Sequence, residues 1–295
     1  MSTKNMFKFI ICFAIIYFLS LSVPVHAGEN SGGVPGYFLN LGLGTRALSM
    51  GRASTALQGD PSSVYWNPAG LATVDSMAVQ LSYIGLFENT RYTNAGIAVP
   101  RGSVWTYGIG VAQLATDGIV RRDTVNIIGD SINDTSTALF FSNAFKFRQS
   151  LSIGFGTKIV NKLFDDYNST WLGLDLGVLY IPVNKIFLGV NIQNLVHSGG
   201  NEIPITAKIG AAARMLNDSF TVSGELEAVN TQLKYHAGVE MEFYRMLAVR
   251  GGYDNGIFTA GFGLKLGSYS IDYAVLQHDI FGLSHRAGFT FVFPK

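Results

Sequence analysis

Residues 232–243, QLKYHAGVEMEF, separate onto two faces. The odd positions Leu233, Tyr235, Ala237, Val239, Met241 and Phe243 are apolar; the even ones, Lys234, His236, Gly238, Glu240 and Glu242, are charged or small. A period of two is that of a β-strand, and it gives this segment one oily face and one polar face. A soluble sandwich strand also alternates, so what matters is which residues fill each face. Here the apolar row carries aromatics toward the strand ends, a placement that suits the aromatic girdles of a membrane barrel.

The pattern recurs outward from this stretch. In 170–181, Leu172, Leu174, Leu176, Val178 and Tyr180 oppose Gly173, Asp175 and Gly177. In 246–254, Leu247, Val249 and Tyr253 oppose Arg250 and Asp254; in 257–266, Phe258, Ala260, Phe262, Leu264 and Leu266 oppose Thr259, Gly261, Gly263 and Lys265. From Met77 onward fourteen such segments follow one another: 77–86, 91–100, 103–115, 136–147, 150–162, 170–181, 186–194, 205–214, 219–229, 232–243, 246–253, 257–266, 268–277 and 283–293. Each is about the ten residues that a tilted membrane strand needs, and their number is even. The long connections (116–135, 163–169, 195–204, 278–282) all follow odd-numbered segments, and the connections after even-numbered ones are short. Outer-membrane barrels sort their loops in this way, with short turns on the periplasmic side. The sequence therefore predicts an all-β fold, a 14-stranded antiparallel transmembrane β-barrel over 77–295 with both ends of the barrel facing the periplasm. Its last segment alternates Phe289, Phe291 and Phe293 with smaller residues, as a strand read by barrel insertion machinery would.

Composition narrows the function. Residues 1–27 carry Lys4 and Lys8 before an apolar run and a small-residue site, Val25-His26-Ala27, and are expected to be a cleaved signal peptide. The single cysteine, Cys12, falls inside that run, which excludes disulfides, thiolate metal sites and a cysteine nucleophile from the remainder. Lys and Arg number 21 against 20 Asp and Glu, so no overall field draws nucleic acid. Pairs such as Gly108/Gly110, Gly154/Gly156 and Gly261/Gly263 precede no helix, so they are not dinucleotide loops but strand glycines, where a plug comes close or the wall bends. A bend at Gly108/Gly110 in the third strand would help open a lateral exit. His278, Asp279, Ser284 and His285 form the one cluster with catalytic residue types, without a Gly-x-Ser-x-Gly elbow or metal-type spacing. No enzyme, cofactor or metal is expected.

The polar faces hold Lys158, Asp175, Lys208, Arg214, Glu225, Glu227, Lys234, His236, Glu240, Glu242, Arg250, Lys265, Asp272 and Arg286. These line either a polar conduit with an anchor for a ligand carboxylate, or a set of lumen ion pairs that lock a plug; the mixture of signs on neighbouring strands favours the second.

Residues 28–76 do not alternate. Their densest part, 42–71, is rich in Gly, Ala and Ser, carries Arg46, Arg52 and Asp60, and closes on Tyr65-Trp66-Asn67-Pro68-Ala69-Gly70. Small residues permit close backbone approach and Asn-Pro starts a turn, so this segment is expected to fold inside the barrel as a plug. Arg46, Arg52 and Asp60 would pair with the wall, while Tyr65 and Trp66 would either floor an apolar pocket, with Arg46 as a carboxylate partner, or simply pack the plug.

The string Arg46-Ala47, Met50-Gly51, Asp60 and Tyr65-Trp66-Asn67-Pro68-Ala69-Gly70-Leu71 resembles the N-terminal signature of the PorV/PorQ family, which is related to the FadL-type long-chain fatty-acid channels. The resemblance implies a FadL-like fourteen-strand barrel in the bacterial outer membrane whose N-terminal segment is a hatch, with Asn67-Pro68-Ala69 as its shared triplet. It implies one of two functions. FadL-type channels pass hydrophobic molecules across the outer membrane through the hatch and a lateral opening; PorV and PorQ proteins serve the type IX secretion system and handle cargo proteins at the cell surface. Its partners would be outer-membrane lipid, the insertion machinery and either a hydrophobic ligand or secretion-system proteins.

Overall fold

A computed structural model describes residues 36–86, 89–122, 128–198, 203–229, 232–278 and 282–295. The expected signal segment 1–27, the first part of the plug (28–35) and Asp279 lie outside the described residues. The strands are β1 (Ala78–Gly85), β2 (Thr90–Arg101), β3 (Trp105–Arg122), β4 (Ile128–Arg148), β5 (Leu151–Phe164), β6 (Tyr167–Val183), β7 (Ile186–Ser198), β8 (Thr206–Met215), β9 (Phe220–Val229), β10 (Gln232–Phe243), β11 (Leu247–Asp254), β12 (Ile257–Leu266), β13 (Tyr269–His278) and β14 (Gly282–Val292). Each pairs antiparallel with its neighbours in sequence, and β1 pairs β14, from Ala78↔Val292 to Gly85↔His285, so the sheet is a closed barrel. Closure removes every free strand edge, which a sheet in hydrocarbon requires.

The alternation resolves into an inside and an outside. Leu233, Val239, Phe243, Val249, Phe258, Phe262 and Ile271 are exposed on the outer face, while Lys208, Glu225, Glu227, His236, Glu240 and Arg250 are buried within. This is the reverse of a soluble sandwich, whose apolar residues turn inward. Among the described residues no helix is long and apolar enough to cross a membrane.

The 116–135 stretch is not a loop. Strands β3 and β4 remain paired as far as Arg122↔Ile128, through irregularities between Thr116 and Ile119 and between Val120 and Arg122. Residues 163–169 likewise form a hairpin turning at Asp165-Asp166, and β7 runs on to Ser198. The asymmetry expected between the two ends of the barrel therefore lies in strand length rather than loop length. At 21 residues β4 extends roughly 70 Å, well past the ~10 residues a membrane crossing takes. Both faces of these extensions meet solvent, so their sequence loses the apolar alternation and reads as loop. Cross-strand pairs Arg91–Asp117, Arg121–Asp165 and Lys162–Asp134 hold the extensions instead.

Inside the barrel the hatch consists of a 3₁₀ turn (Tyr37–Leu41), helix α1 (Thr45–Ser49), helix α2 (Ser63–Trp66) and a second 3₁₀ turn (Pro68–Thr73). Its helices are single turns because glycines with positive φ, among them Gly44 at 77° and Gly51 at 62°, fold the chain back between them. Strand glycines on the inner wall give the hatch its room. A Cβ at Gly154 would strike the Pro68–Ala69 backbone, one at Gly177 the Asn67 Oδ1, one at Gly189 the Thr55 carbonyl, and one at Gly238 the Met50 carbonyl.

Candidate functional site

The seat of the hatch is built around Tyr65, Trp66, Asn67 and Pro68, all buried. Pro68 opens the second 3₁₀ turn, where its missing N–H is no loss, and Asn67 caps it, Oδ1 accepting from Ala69 N at 3.1 Å. The same amide donates Nδ2 to the Thr55 carbonyl at 2.7 Å and to the Val178 carbonyl of β6 at 3.2 Å, so one side chain ties two parts of the hatch to the wall. Trp66 Nε1 donates to the Leu43 carbonyl at 2.7 Å and Tyr65 Oη to the Leu39 carbonyl at 2.8 Å. Burial pushes the Tyr65 phenol up, which keeps its proton available for that bond. The two rings pack edge to face, and Tyr65 meets Phe140 of β4 in the same way. From β7, Asn191 Nδ2 and Gln193 Nε2 donate to the carbonyls of Trp66 and Tyr65 at 2.8 and 2.6 Å.

Two arginines of the hatch reach the opposite wall. Arg46 is bidentate on Glu240 of β10, Nε–Oε2 2.9 Å and Nη2–Oε1 2.6 Å. Glu240 also accepts from Arg250 Nε of β11 at 2.6 Å, and Arg250 Nη1 continues to Asp272 Oδ1 of β13 at 2.6 Å. Charges alternate along this chain, Arg46–Glu240–Arg250–Asp272, so each buried group has an opposite neighbour. Burial alone would lower the Arg46 guanidinium; Glu240 more than reverses this and holds it above its ordinary value. Arg46 is thus committed to a wall carboxylate, not held open as a partner for a ligand. Arg52 stands in a left-handed backbone (φ 66°), 3.7 Å from Asp254 Oδ2 and 5.6 Å above the Trp66 ring.

Asp60 makes no such reach. Its Oδ1 accepts from Ser62 N at 2.8 Å at the start of α2, so the acid expected to pair with the wall turns back on its own segment. Glu225 receives the hatch backbone directly, Oε2 accepting from Ser54 N and Thr55 N at 2.8 and 2.7 Å. Asp175 pairs Lys158 at 3.0 Å and accepts from Asn194 N at 2.9 Å. Glu227 lies between Lys208 (2.9 Å) and Lys234 (3.4 Å), and Lys208 Nζ sits 5.0 Å above the Trp66 ring. His236 Nδ1 is 3.0 Å from Asp254 Oδ1. The hatch residues Arg46, Arg52, Tyr65, Trp66 and Asn67 and the wall residues thus come together on one contact surface.

Asn191 and Gln193 belong to this surface although charge and motif did not single them out, and so does Asp254, which alternation placed on the polar face of its strand. The inward register of the two amides on β7 was the available signal; neutral amides carry no charge pattern to draw the eye. Of the two roles open to Gly108/Gly110, close approach of the plug and a bend in the wall, the structure shows the first: these glycines make room for Val64 and Leu71, and β3 pairs both neighbours without interruption from Trp105 to Thr116. The wall is irregular at β6–β7, where the register jumps between Leu174/Val196 and Leu176/Ile192 and Asn194 has φ 59°. Ser284 and His285 do not assemble a triad; His285 Nδ1 instead bonds Tyr273 Oη at 2.5 Å, and β14 turns adjacent side chains to opposite faces.

No family model and no curated protein matches the sequence. Solved structures do. The CymD monoaromatic hydrocarbon channel superimposes with TM-score 0.65 at 14% identity, over 86% of this chain and 98% of that one. The Ralstonia pickettii toluene transporter TbuX gives 0.63 at 13% identity, over 86% and 99%. A Pseudomonas aeruginosa FadL homologue gives 0.58 at 12% identity, over 83% and 96%. The fold is that of the FadL-type channels. At these identities the likeness is one of architecture, and the residues of the hatch seat must be judged on their own geometry.

Proposed function

We propose that this chain is an outer-membrane conduit for hydrophobic, fatty-acid-like small molecules, with residues 28–76 as its hatch, 77–295 as its barrel and 1–27 as a leader removed on export. The observation that carries this is the hatch itself. It fills the lumen, yet among the described residues no backbone–backbone hydrogen bond joins it to the wall, so it can shift without breaking the sheet. The outer face is apolar, as lipid contact requires, and the proteins that share the fold are described as hydrocarbon channels and toluene transporters. The chemistry of passage needs no catalytic group.

Mass spectrometry of small molecules that co-purify with the barrel tests this, repeated on Trp66→Ala. The wild type is expected to carry acyl or other apolar compounds and the variant to carry less; apolar compounds missing from both would refute the conduit.

A second function is favoured by a separate feature. Strands β3–β6 stand beyond the membrane as a polar wall, and the 42–71 signature resembles that of PorV/PorQ proteins, so a non-catalytic type IX secretion component that binds cargo proteins at the cell surface would use this wall. Such a role predicts that trimming the β3–β4 extension at 117–133 abolishes co-purification of partner proteins, whereas a conduit keeps its bound small molecules after the same deletion.

A further inference from the structure

The outward row of β14 runs Leu283, His285, Ala287, Phe289 and Phe291, and His285 is its one polar member. Arg286 beside it is buried in the lumen, so His285 faces the lipid side of the wall. A basic side chain on that surface is costly unless it meets head groups or a partner there. Strand pairing fixes its depth. His285 is in register with Gly85 of β1, and Gly85 with Arg91 of β2, near the barrel end opposite the chain termini. Arg91 is exposed while its neighbour Tyr92 is fully buried, so it too points outward. One level nearer the bilayer centre, Ala287 of β14 is in register with Tyr273 of β13 on one side and Tyr83 of β1 on the other.

Tyr83, Arg91, Tyr273 and His285 thus stand around a floor of two small residues, Gly85 and Ala287. With no Cβ at Gly85, the space between His285 and Arg91, two strands or roughly 10 Å apart, stays open. Tyr83 leans into it: a Cβ built at Gly85 would sit 3.9 Å from the Tyr83 hydroxyl. Tyr273 sets the histidine. Its Oη lies 2.5 Å from His285 Nδ1, and Phe262 packs on the Tyr273 ring at 5.4 Å between centroids. With the phenol donating to Nδ1, the neutral imidazole carries its proton on Nε2, and a protonated ring carries one there too. Arg91 pairs Asp117 through Nη1; both are half exposed, so solvent weakens the pair, and the guanidinium fork has further donors to offer. An imidazole N–H, a guanidinium and a phenol around an open floor are a cradle for a tetrahedral oxyanion.

We infer that Tyr83, Arg91 and His285, with Tyr273 positioning the imidazole, form a site on the outer surface of the barrel for the phosphate of a phosphorylated lipid of the outer leaflet. The cradle opens on the membrane face rather than into the lumen, and below it the wall presents Leu81 and Phe289, both exposed, along which acyl chains lie. A free phosphate ion has the same head chemistry and no use for that apolar row, which is why the occupant is a lipid. The site is on the opposite face of the wall from the hatch, and it holds whether or not the barrel conducts.

Native mass spectrometry of the purified full-length protein, released from nonionic detergent after titration with dioctanoylphosphatidic acid, dioctanoylglycerol or inorganic phosphate, tests it. The phosphatidic acid is expected to be retained about tenfold or more over the diacylglycerol, the worth of a charge-assisted hydrogen bond. His285→Leu and Arg91→Gln should each lower that ratio while leaving diacylglycerol retention unchanged, and Gly85→Leu, which fills the floor, should erase it. Tyr273→Phe should lower it less and, in ¹⁵N spectra, return the His285 ring to a mixture of tautomers. These positions are on the outer surface, so the variants are expected to fold. A ratio near one in the wild type, or one untouched by His285→Leu and Arg91→Gln, would overturn the inference. Inorganic phosphate retained as well as the phosphatidic acid would mark a free-anion site and overturn the assignment to lipid.

Discussion

Glu240 answers two arginines at once, one from the hatch and one from the neighbouring strand. Glu240→Gln leaves Arg46 without its acid and Arg250 with Asp272 alone, whereas Arg46→Met leaves Glu240 with Arg250. Breaking a buried pair costs about 3–5 kcal/mol, so Glu240→Gln should lower stability by that order and Arg46→Met, whose side chain is 19% exposed, by clearly less. Urea unfolding in detergent, followed by tryptophan fluorescence, reads the difference; equal losses would mean that Glu240 serves only one partner. The wall half of this network was legible in the sequence, because alternation alone turned Glu240, Arg250 and Asp272 inward. The pairing with Arg46 was not, since it joins residues 194 positions apart and no periodic pattern spans that distance.

At the scale of elements, the hatch is held by shape as much as by charge. Gly154 and Gly177 lie where a side chain would enter the backbone of Pro68–Ala69 or the Asn67 amide, while a Cβ at Gly224 of β9 meets open space. Gly177→Ala should therefore displace the hatch and expose its 42–71 segment to protease added to the folded protein, and Gly224→Ala should behave as wild type. Protection in both, assayed by limited proteolysis and mass spectrometry, would contradict the fitted seat. Trp66→Ala removes a fully packed ring and its bond to Leu43, a loss of about 3–5 kcal/mol for a buried tryptophan. The strand glycines were readable as sites of close approach from their inward register and the missing helix after them. The tall β3–β4 hairpin was not readable, because a strand wetted on both faces has no oily row to reveal its period. Residues 116–135 are rich in Thr, Ser, Asn and Asp with scattered apolar side chains, the composition of a loop.

For the whole molecule, period-two patterning carried the architecture from sequence to structure nearly strand by strand. It could do so because lipid outside and a filled, polar lumen inside sort every strand's residues into two classes. Function is less directly encoded. One architecture admits many cargoes, and the choice lies in a few lumen side chains whose partners only the folded chain reveals. What distinguishes a conduit from a sealed wall is whether the hatch must move. Val64 of the hatch offers a lock: a Cβ placed at Gly110 falls 2.8 Å from its Cγ2, within reach of a disulfide, whose Cβ atoms sit roughly 3.5–4.5 Å apart. The chain's single native cysteine lies in the expected leader, so Val64→Cys/Gly110→Cys introduces a pair without competitors. The decisive measurement is the rate at which a pyrene-labelled fatty acid and a neutral pyrene alkane cross the outer membrane of cells carrying this variant, oxidised and then reduced. The conduit predicts entry above the empty-vector rate when the lock is reduced and a fall to that rate when it is closed; entry that ignores the lock, or never exceeds the empty vector, would contradict it.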